Sequence, residues 1–195
     1  MGAFLMNIAH HTATRRRALQ RMAALPLAAT LPWVAACAGP QVQQYAQETP
    51  VLDLRSYFNG IVDAWGVFTD RNGQVVKRFT VEMKCSWQGE QGVLDEDFVY
   101  SDGTQEKRVW RLTHLGDGRY EGTAGDVVGT AQGQTRGNTF RWGYTLALPV
   151  SGRVLNVSMD DWMYLMNERV MLNKARMSKW GVHLGDVTLS FTRRG

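Results

Sequence analysis

The feature that most constrains the fold is a regular alternation of apolar and polar side chains. In residues 75–87 the odd positions are mostly apolar and the even positions mostly polar. Residues 139–148 show the same alternation with apolar side chains at even positions. Residues 183–192, near the C-terminus, show it with apolar side chains mostly at odd positions. Successive side chains of a β-strand point to opposite faces, so each run predicts a strand with one buried face.

Turn signals rich in Gly, Asn and Asp separate these runs. They are Arg71-Asn72-Gly73, Gln88-Gly89, Asp102-Gly103, Gly116-Asp117-Gly118, Gly137-Asn138 and Ser151-Gly152. Their spacing predicts an all-β fold of about eight to ten antiparallel strands joined by hairpins. The predicted architecture is an up-and-down, lipocalin-like barrel, because hairpins that close on themselves leave no unpaired edge. A β-sandwich is the alternative.

Residues 1–36 have the layout of a bacterial lipoprotein signal peptide. They contain four arginines and no acidic residue, and an uncharged stretch, residues 22–36, follows the arginines. This apolar region is too short to span a bilayer. Val34-Ala35-Ala36-Cys37 resembles a lipobox, which predicts cleavage before Cys37 and lipid on that cysteine. The alternative is ordinary secretory cleavage after Ala38. Residues 14–19 also resemble a twin-arginine export motif.

The predicted mature protein has a flexible tether, residues 37–56, and one β-barrel domain, residues 57–195. The tether is polar, contains proline and shows little periodicity. The whole chain has 22 Lys+Arg and 18 Asp+Glu, and removal of the four signal arginines leaves 18 of each. Nucleic acid is therefore not a predicted partner. With Cys37 lipidated, Cys85 is the remaining thiol, and its apolar neighbours predict that it is buried and inert.

A segment rich in Met and Trp, residues 157–181, contains two adjacent aspartates. We expect a hairpin with a two-residue turn at 167–168. The predicted cross-strand pairs include Trp162 with Asn173, Tyr164 with Met171, and Asp161 with Lys174. Asp161 would then be neutralised by a cation on the neighbouring strand. Both faces are apolar near the turn, which leaves one face for a ligand, a partner or the membrane. A helix over residues 169–179 is the competing interpretation.

Several short motifs follow one another along the predicted domain. They are Trp65-Gly66-Val67-Phe68, Arg78-Phe79-Thr80-Val81, residues 94–103, Arg108-Val109-Trp110, residues 126–131, Gly137-Asn138 and residues 160–164. In this order they resemble a family of bacterial lipoproteins known as domain of unknown function 3833. The resemblance runs from about residue 57 to residue 191 and implies no assigned activity. The consecutive hairpins, with Gly60 and Trp65 early in the domain, are also similar to lipocalins, as an analogy of fold.

The chain lacks the groupings that catalysis or metal binding usually requires. Two histidines of the predicted mature protein, His114 and His183, are far apart, and neither a nucleophile elbow nor a phosphate-binding loop occurs. The acidic runs 95–97 and 160–161 are candidates for an acid–base pair or for calcium. Neighbouring carboxylates on a strand point to opposite faces, so each run offers one face only part of its charge. We predict no catalytic residue, no metal and no cofactor.

One five-residue pattern occurs twice. Residues 96–100 and 160–164 both read acid, acid, aromatic, apolar, Tyr. We expect one acid of each, Asp97 and Asp161, to face an arginine, either as a structural ion pair or as an anchor for a ligand's polar group. The candidate partners are Arg78, Arg108 and Arg141.

These features predict a lipid-anchored envelope protein whose barrel binds a hydrophobic or amphipathic molecule, such as a lipid or an acyl chain. The predicted binding residues are Phe79, Met83, Trp142, Tyr144, Trp162, Tyr164 and Met171, with Asp161 and Asn173 as polar anchors. One alternative is a barrel filled by its own side chains that serves a structural role or binds a protein partner. Another is an enzyme that uses Asp97 and Asp161. Ala38 rather than Asp follows Cys37, which favours the periplasmic face of the outer membrane.

Overall fold

The computed structural model describes residues 39–150 and 152–195 of the chain. The predicted signal peptide, residues 1–36, and the predicted lipidation site Cys37 lie outside the described residues. The described part forms a 3-10 helix, Val42–Tyr45, a short helix α1, Leu54–Tyr57, and ten strands. The strands are β1 Gly60–Asp70, β2 Val75–Gln88, β3 Gln91–Tyr100, β4 Gln105–Gly116, β5 Arg119–Thr123, β6 Val127–Arg136, β7 Thr139–Val150, β8 Arg153–Leu165, β9 Val170–Lys179 and β10 Val182–Arg193. No helix in this part of the chain is long and apolar enough to cross a membrane.

The ten strands form one closed antiparallel barrel. Each strand pairs with its neighbours in the chain, and β1 pairs with β10 to close the sheet, with Ala64 opposite Phe191. The predicted up-and-down barrel is confirmed, and the sandwich alternative is wrong. Closure gives every strand a partner on both sides, which leaves no exposed sheet edge.

The alternation in the sequence becomes the inside and the outside of this barrel. In β2 the odd positions from 79 to 85 are buried and the intervening positions are exposed or half-buried. In β7 the parity is reversed, so that Phe140, Trp142 and Leu146 are buried. Burial of such a side chain stabilises the fold by about 1.5–3 kcal/mol. Cys85 is buried, as expected, and burial raises the pKa of its thiol to about 12.

The β8–β9 hairpin differs in register from the prediction. The alternative helix does not form, since that segment is strand β9. Met166 N–H donates to Val170 O at 2.9 Å, so three residues, 167–169, lie between the paired positions rather than two. The Asn167 side chain accepts two backbone hydrogen bonds of 2.9 Å from Arg169 and Val170. The longer loop shifts the pairing by one residue, so Asp161 lies opposite Ala175. All three predicted pairs are therefore wrong, since Trp162 lies opposite Lys174 and Tyr164 lies opposite Leu172. Asp161 faces the inside of the barrel, where it is buried.

Residues 39–56, predicted as a flexible tether, lie against the barrel instead. The compact unit begins at Gly39, and Leu52 and Leu54 are only 2% and 1% exposed. Three hydrogen bonds attach the chain around α1 to one end of the barrel: Leu52 N–H to Gly137 O (2.8 Å), Tyr57 O–H to Arg169 O (3.0 Å) and Trp87 Nε1–H to Phe58 O (3.0 Å). These partners lie at the β6–β7 turn, the β8–β9 loop and the end of β2. Since all three are at the same end, this segment covers that end of the barrel.

Candidate functional site

The barrel encloses a cavity of about 130 Å³. Leu54 and Phe58 line it from the covered end, so the segment before β1 forms part of its wall. The aromatic part of the wall includes Phe79, Phe98, Trp110, Phe140, Trp142 and Tyr144. Typical pockets for drug-sized ligands measure about 300–1,000 Å³, whereas engineered apolar cavities of about 150 Å³ accept benzene. The cavity therefore matches a ligand of roughly one ring or a short chain.

The aromatic wall depends on two glycines. The Trp142 ring lies 5.7 Å from the Trp110 ring and 5.3 Å from the Phe140 ring, measured between centroids. A Cβ atom at Gly133 would lie 2.6 Å from the Trp142 ring, and one at Gly122 would lie 3.0 Å from it. These two glycines thus leave room for the indole ring of Trp142.

Two carboxyl groups enter this mostly apolar lumen. Glu96 is on β3 and Asp161 is on β8, and each is only 7% exposed. In the closed strand order four strands separate β3 from β8 in either direction, so the two carboxyls come from opposite sides of the barrel. Both line the same cavity. A carboxylate is costly to bury without a partner, so the surroundings of each decide what it can do.

Glu96 lies between Met83 and Arg108 in the register of the sheet. The guanidinium of Arg108 is turned to Asp126, with Nε–H donating to both carboxylate oxygens at 3.1 and 3.0 Å and one Nη donating at 2.5 Å. Among the described residues, no side chain or backbone group hydrogen-bonds the Glu96 carboxyl. Burial raises the pKa of Glu96 to about 7, although the nearby charge of Arg108 opposes this shift.

Asp161 has one close partner, Asn173 on β9. The Asn173 side-chain N–H group donates to the Asp161 carboxyl and, at 3.4 Å, to the backbone oxygen of Trp162. Burial raises the pKa of Asp161 to about 7, and the hydrogen bond from Asn173 opposes the rise. Asn173 is 3% exposed, and its side-chain oxygen has no hydrogen-bond partner in residues 39–150 and 152–195. The cavity wall thus contains a buried acceptor that nothing in the described chain satisfies.

Six of the nine predicted binding residues line the cavity. They are Phe79, Met83, Trp142, Tyr144, Asp161 and Asn173. Met171 is fully buried in the core but is not part of the cavity wall. Trp162 and Tyr164 are also absent from the wall. They lie on the same face of β8 as Asp160, and that face points away from the lumen.

The outward aromatic residues of β8 are covered by the segment predicted as a tether. The Tyr45 ring lies 6.0 Å from the Trp162 ring and 5.6 Å from the Tyr164 ring. The guanidinium of Arg141 lies 5.0 Å from the centre of the Trp162 ring. These rings hold the N-terminal segment on the outer surface rather than facing the cavity.

The predicted pairing of Asp97 and Asp161 with arginines is wrong. Arg108 pairs with Asp126, and Arg141 pairs with the outward Asp160. Asp97 faces outward, where Lys84 and Lys107 each lie 3.3 Å from its carboxylate, so the prediction that it faces an arginine is wrong. An acid–base pair of Asp97 and Asp161 is excluded, since the barrel wall separates them. Among the described residues no cluster of three or more His, Cys, Asp or Glu side chains is placed to hold a metal ion.

Glu96 is the site residue that the sequence prediction missed. The sequence did carry a signal for it. Leu94, Glu96 and Phe98 occupy alternate positions and so share one face of the strand, and both neighbours of Glu96 on that face are apolar. The buried face of β3 follows that parity. An acid on the apolar side of an alternating strand is therefore the sequence signal for a carboxyl group inside the barrel.

The family model described as protein of unknown function (DUF3833) matches residues 31–193. This protein belongs to the DUF3833 family. The match confirms the resemblance seen in the sequence motifs and covers every strand of the barrel. No curated protein matches the sequence.

This DUF3833 protein is similar to several solved structures at low sequence identity. An S-type phycobiliprotein lyase from Guillardia theta superposes with a TM-score of 0.55 at 6% identity, covering 80% of this chain and 99% of the lyase. The protein EF1p2_mFAP2b, solved bound to DFHBI, gives a TM-score of 0.42 at 11% identity, covering 72% of this chain and 99% of its own. A de novo designed fluorescence-activating β-barrel gives 0.37 at 12% identity, covering 73% and 99%. The lyase likeness shows a common fold at this level of identity.

Proposed function

We propose that this protein binds a small apolar or amphipathic molecule inside its barrel. The observation that carries the proposal is the unsatisfied oxygen of Asn173 in the cavity wall, beside the buried Asp161. A buried polar atom without a partner costs about 1–3 kcal/mol, and most buried polar groups in folded proteins do have partners. A ligand that donates a hydrogen bond to this oxygen removes that cost.

The rest of the wall suits the apolar part of such a ligand. Aliphatic and aromatic side chains make up most of the wall, with a few polar groups at defined positions, which is the usual composition of a small-molecule pocket. Met83, Met159 and Met163 also line the cavity. Methionine is unbranched and polarizable, so these side chains adapt to the shape of a bound molecule. They provide a way for the cavity to accept a ligand somewhat larger than its volume of about 130 Å³.

The proposed setting of this binding is the bacterial envelope, with lipid on Cys37 as the attachment to the membrane. The support comes from the sequence before the barrel, where a basic region, an apolar region and a cysteine follow in order. The outer membrane, facing the periplasm, is part of the same proposal. Mass spectrometry of the Cys37 peptide from the full chain and from a Cys37→Ser variant, with membrane fractionation of both, tests it. An unmodified peptide, or equal membrane recovery of the two proteins, would count against a lipid anchor.

The binding proposal is tested by native mass spectrometry of the compact unit, residues 39–195, produced in a bacterial periplasm. We expect a stoichiometric small-molecule adduct that organic solvent removes. Ala175→Phe should abolish the adduct because Ala175 lines the cavity. Leu172→Phe is the matched control, since Leu172 is on the same strand with 44% exposure.

Two outcomes would overturn the proposal. One is an adduct that persists in a folded Ala175→Phe protein, which would place the ligand outside the lumen. The other is an apo mass together with no change in Tm on incubation with benzene, toluene or membrane lipid extract. That result would favour a barrel filled by its own side chains that binds a protein partner.

A further inference from the structure

The charges around the cavity do not balance. Glu96 and Asp161 each bring a carboxyl to the wall, and Arg108 is the cationic side chain of that wall. The Arg108 charge is already matched by Asp126, which it contacts through two of its nitrogens. With all four groups ionised, the lumen therefore carries two uncompensated negative charges. A buried charge without a counter-charge is unfavourable, so a positively charged occupant would be stabilised there.

The wall offers several hydrogen-bond acceptors that have no partner in the described part of the chain. The Glu96 carboxyl and the side-chain oxygen of Asn173 lack partners among the described residues, and Asn173 occupies one oxygen of Asp161. Acceptors of this kind bind a group with several N–H donors, and an ammonium group brings three. A carboxylate brings none.

The aromatic side chains of the cavity favour the same charge. Trp110 packs edge-on against Trp142 and Tyr144, with ring centroids 5.7 and 5.4 Å apart. A cation within about 6 Å of the face of such a ring is attracted to it, and the attraction is stronger where water is excluded. We infer that the lumen selects a small apolar molecule with a protonated amine, held by Glu96, Asp161 and Asn173 and surrounded by these rings. This inference rests on the proposed binding function and specifies the charge of its ligand.

An anionic ligand such as a short fatty acid fits these groups poorly. Its carboxylate would meet two further carboxyls, and the one arginine of the wall is engaged with Asp126. A neutral apolar molecule would fill the space but would leave the acceptors unsatisfied. The three ligand classes therefore differ in the wall groups they satisfy, which makes them separable by experiment.

The test uses three probes of matched shape at pH 8, namely benzylamine, benzyl alcohol and benzoate, titrated into residues 39–195 by calorimetry. We expect benzylamine to bind about tenfold or more tightly than benzyl alcohol, and benzoate to bind most weakly. The double variant Glu96→Gln/Asp161→Asn should lose the preference for the amine while still binding the alcohol. Asp97→Asn/Asp160→Asn is the matched control, because both carboxylates face outward, and it should keep the preference.

The outcomes separate this inference from the binding proposal. Equal binding of amine and alcohol, or tightest binding of benzoate, would overturn the inference and leave a lumenal binding site in place. Binding of none of the three probes, together with an apo protein from the periplasm, would overturn both. An amine preference that survives in a folded Glu96→Gln/Asp161→Asn protein would place the cation elsewhere and would also overturn the inference.

Discussion

Strands β3 and β8 carry the same five-residue pattern on opposite sides of the barrel, yet they point it in opposite directions. In residues 96–100 of β3 the first acid, the aromatic residue and the tyrosine face the lumen. In residues 160–164 of β8 these three positions face outward, and the second acid, Asp161, faces the lumen. The same local sequence thus places a different member of its acid pair inside.

The surroundings of the four acids follow from this difference in direction. Hydrogen bonds from Lys107 and Lys84 lower the pKa of the outward Asp97, and Arg141 donates to the outward Asp160 at 2.7 Å. Burial instead raises the pKa of both inward acids, Glu96 and Asp161, to about 7. The face of the sheet, rather than the motif, decides which acid can take part in binding.

The largest expected effects test the assignment of faces. Leu94→Asp on β3 and Val157→Asp on β8 place a charge at inward positions that are 6% and 1% exposed. Each should destabilise the fold by about 4 kcal/mol or more, because the new carboxylate has no partner. The outward controls Val99→Asp and Val154→Asp should cost less than about 1 kcal/mol. Urea denaturation measures all four, and a large loss in Val99→Asp would mean that β3 is turned the other way.

Replacement of Glu96 should change how stability depends on pH. In the folded state Glu96 keeps its proton up to about pH 7, whereas in the unfolded state it loses it near its ordinary pKa. Stability should therefore fall as pH rises through that window. Glu96→Gln removes this loss, so the variant should exceed the native protein by about 3 kcal/mol at pH 8 and by little at pH 4.

Asp97→Asn is the matched control for Glu96→Gln and should act in the opposite direction. The pKa of Asp97 is lowered in the folded state, so its contribution is present above its ordinary pKa and disappears as pH falls. The variant should be slightly less stable than the native protein at pH 7. Thermal denaturation from pH 4 to 8 measures both variants, and parallel curves for Glu96→Gln and the native protein would contradict the burial of an ionisable Glu96.

Removal of the hydrogen-bond donor to Asp161 should destabilise the fold less than insertion of a charge in the core does. Asn173→Leu keeps similar volume but removes the donor to Asp161, which should destabilise the fold by about 2 kcal/mol at pH 8. The loss should shrink at pH 5, where Asp161 is protonated in the native state. Chemical denaturation at both pH values checks this. Equal losses at the two pH values would show that Asn173 acts through packing alone.

The smallest expected effect concerns the outward acid of β8. Asp160→Asn breaks an ion pair with Arg141 in which both side chains are partly exposed, at 45% and 40%. Such pairs contribute about 0–1 kcal/mol, and salt screens them. We expect a loss of about 0.5 kcal/mol at low salt that vanishes near 1 M salt. A loss of stability as large as that expected for Asn173→Leu would contradict the distinction between the outward and inward faces of the sheet.

The fold was largely predictable because its signal is local. The alternation in β2 and β7 and the turn at Asp102-Gly103 depend on neighbouring residues, and closure follows from the cost of unpaired edges. The parts that were not predicted depend on distant contacts. Leu52 and Leu54 stand in a polar segment without periodicity, and only the open end of a finished barrel gives them a place to be buried.

The sequence by itself determined a closed antiparallel barrel, its turns and the alternation of its walls, because side-chain direction in a strand has a period of two. It also carried the motifs of the DUF3833 family. Only the tertiary structure decided that Glu96 and Asp161 share one cavity, since β3 and β8 lie on opposite sides of the barrel and face each other across the lumen. It also decided the register of β8 on β9, because one extra residue in a loop changes which side chains face each other.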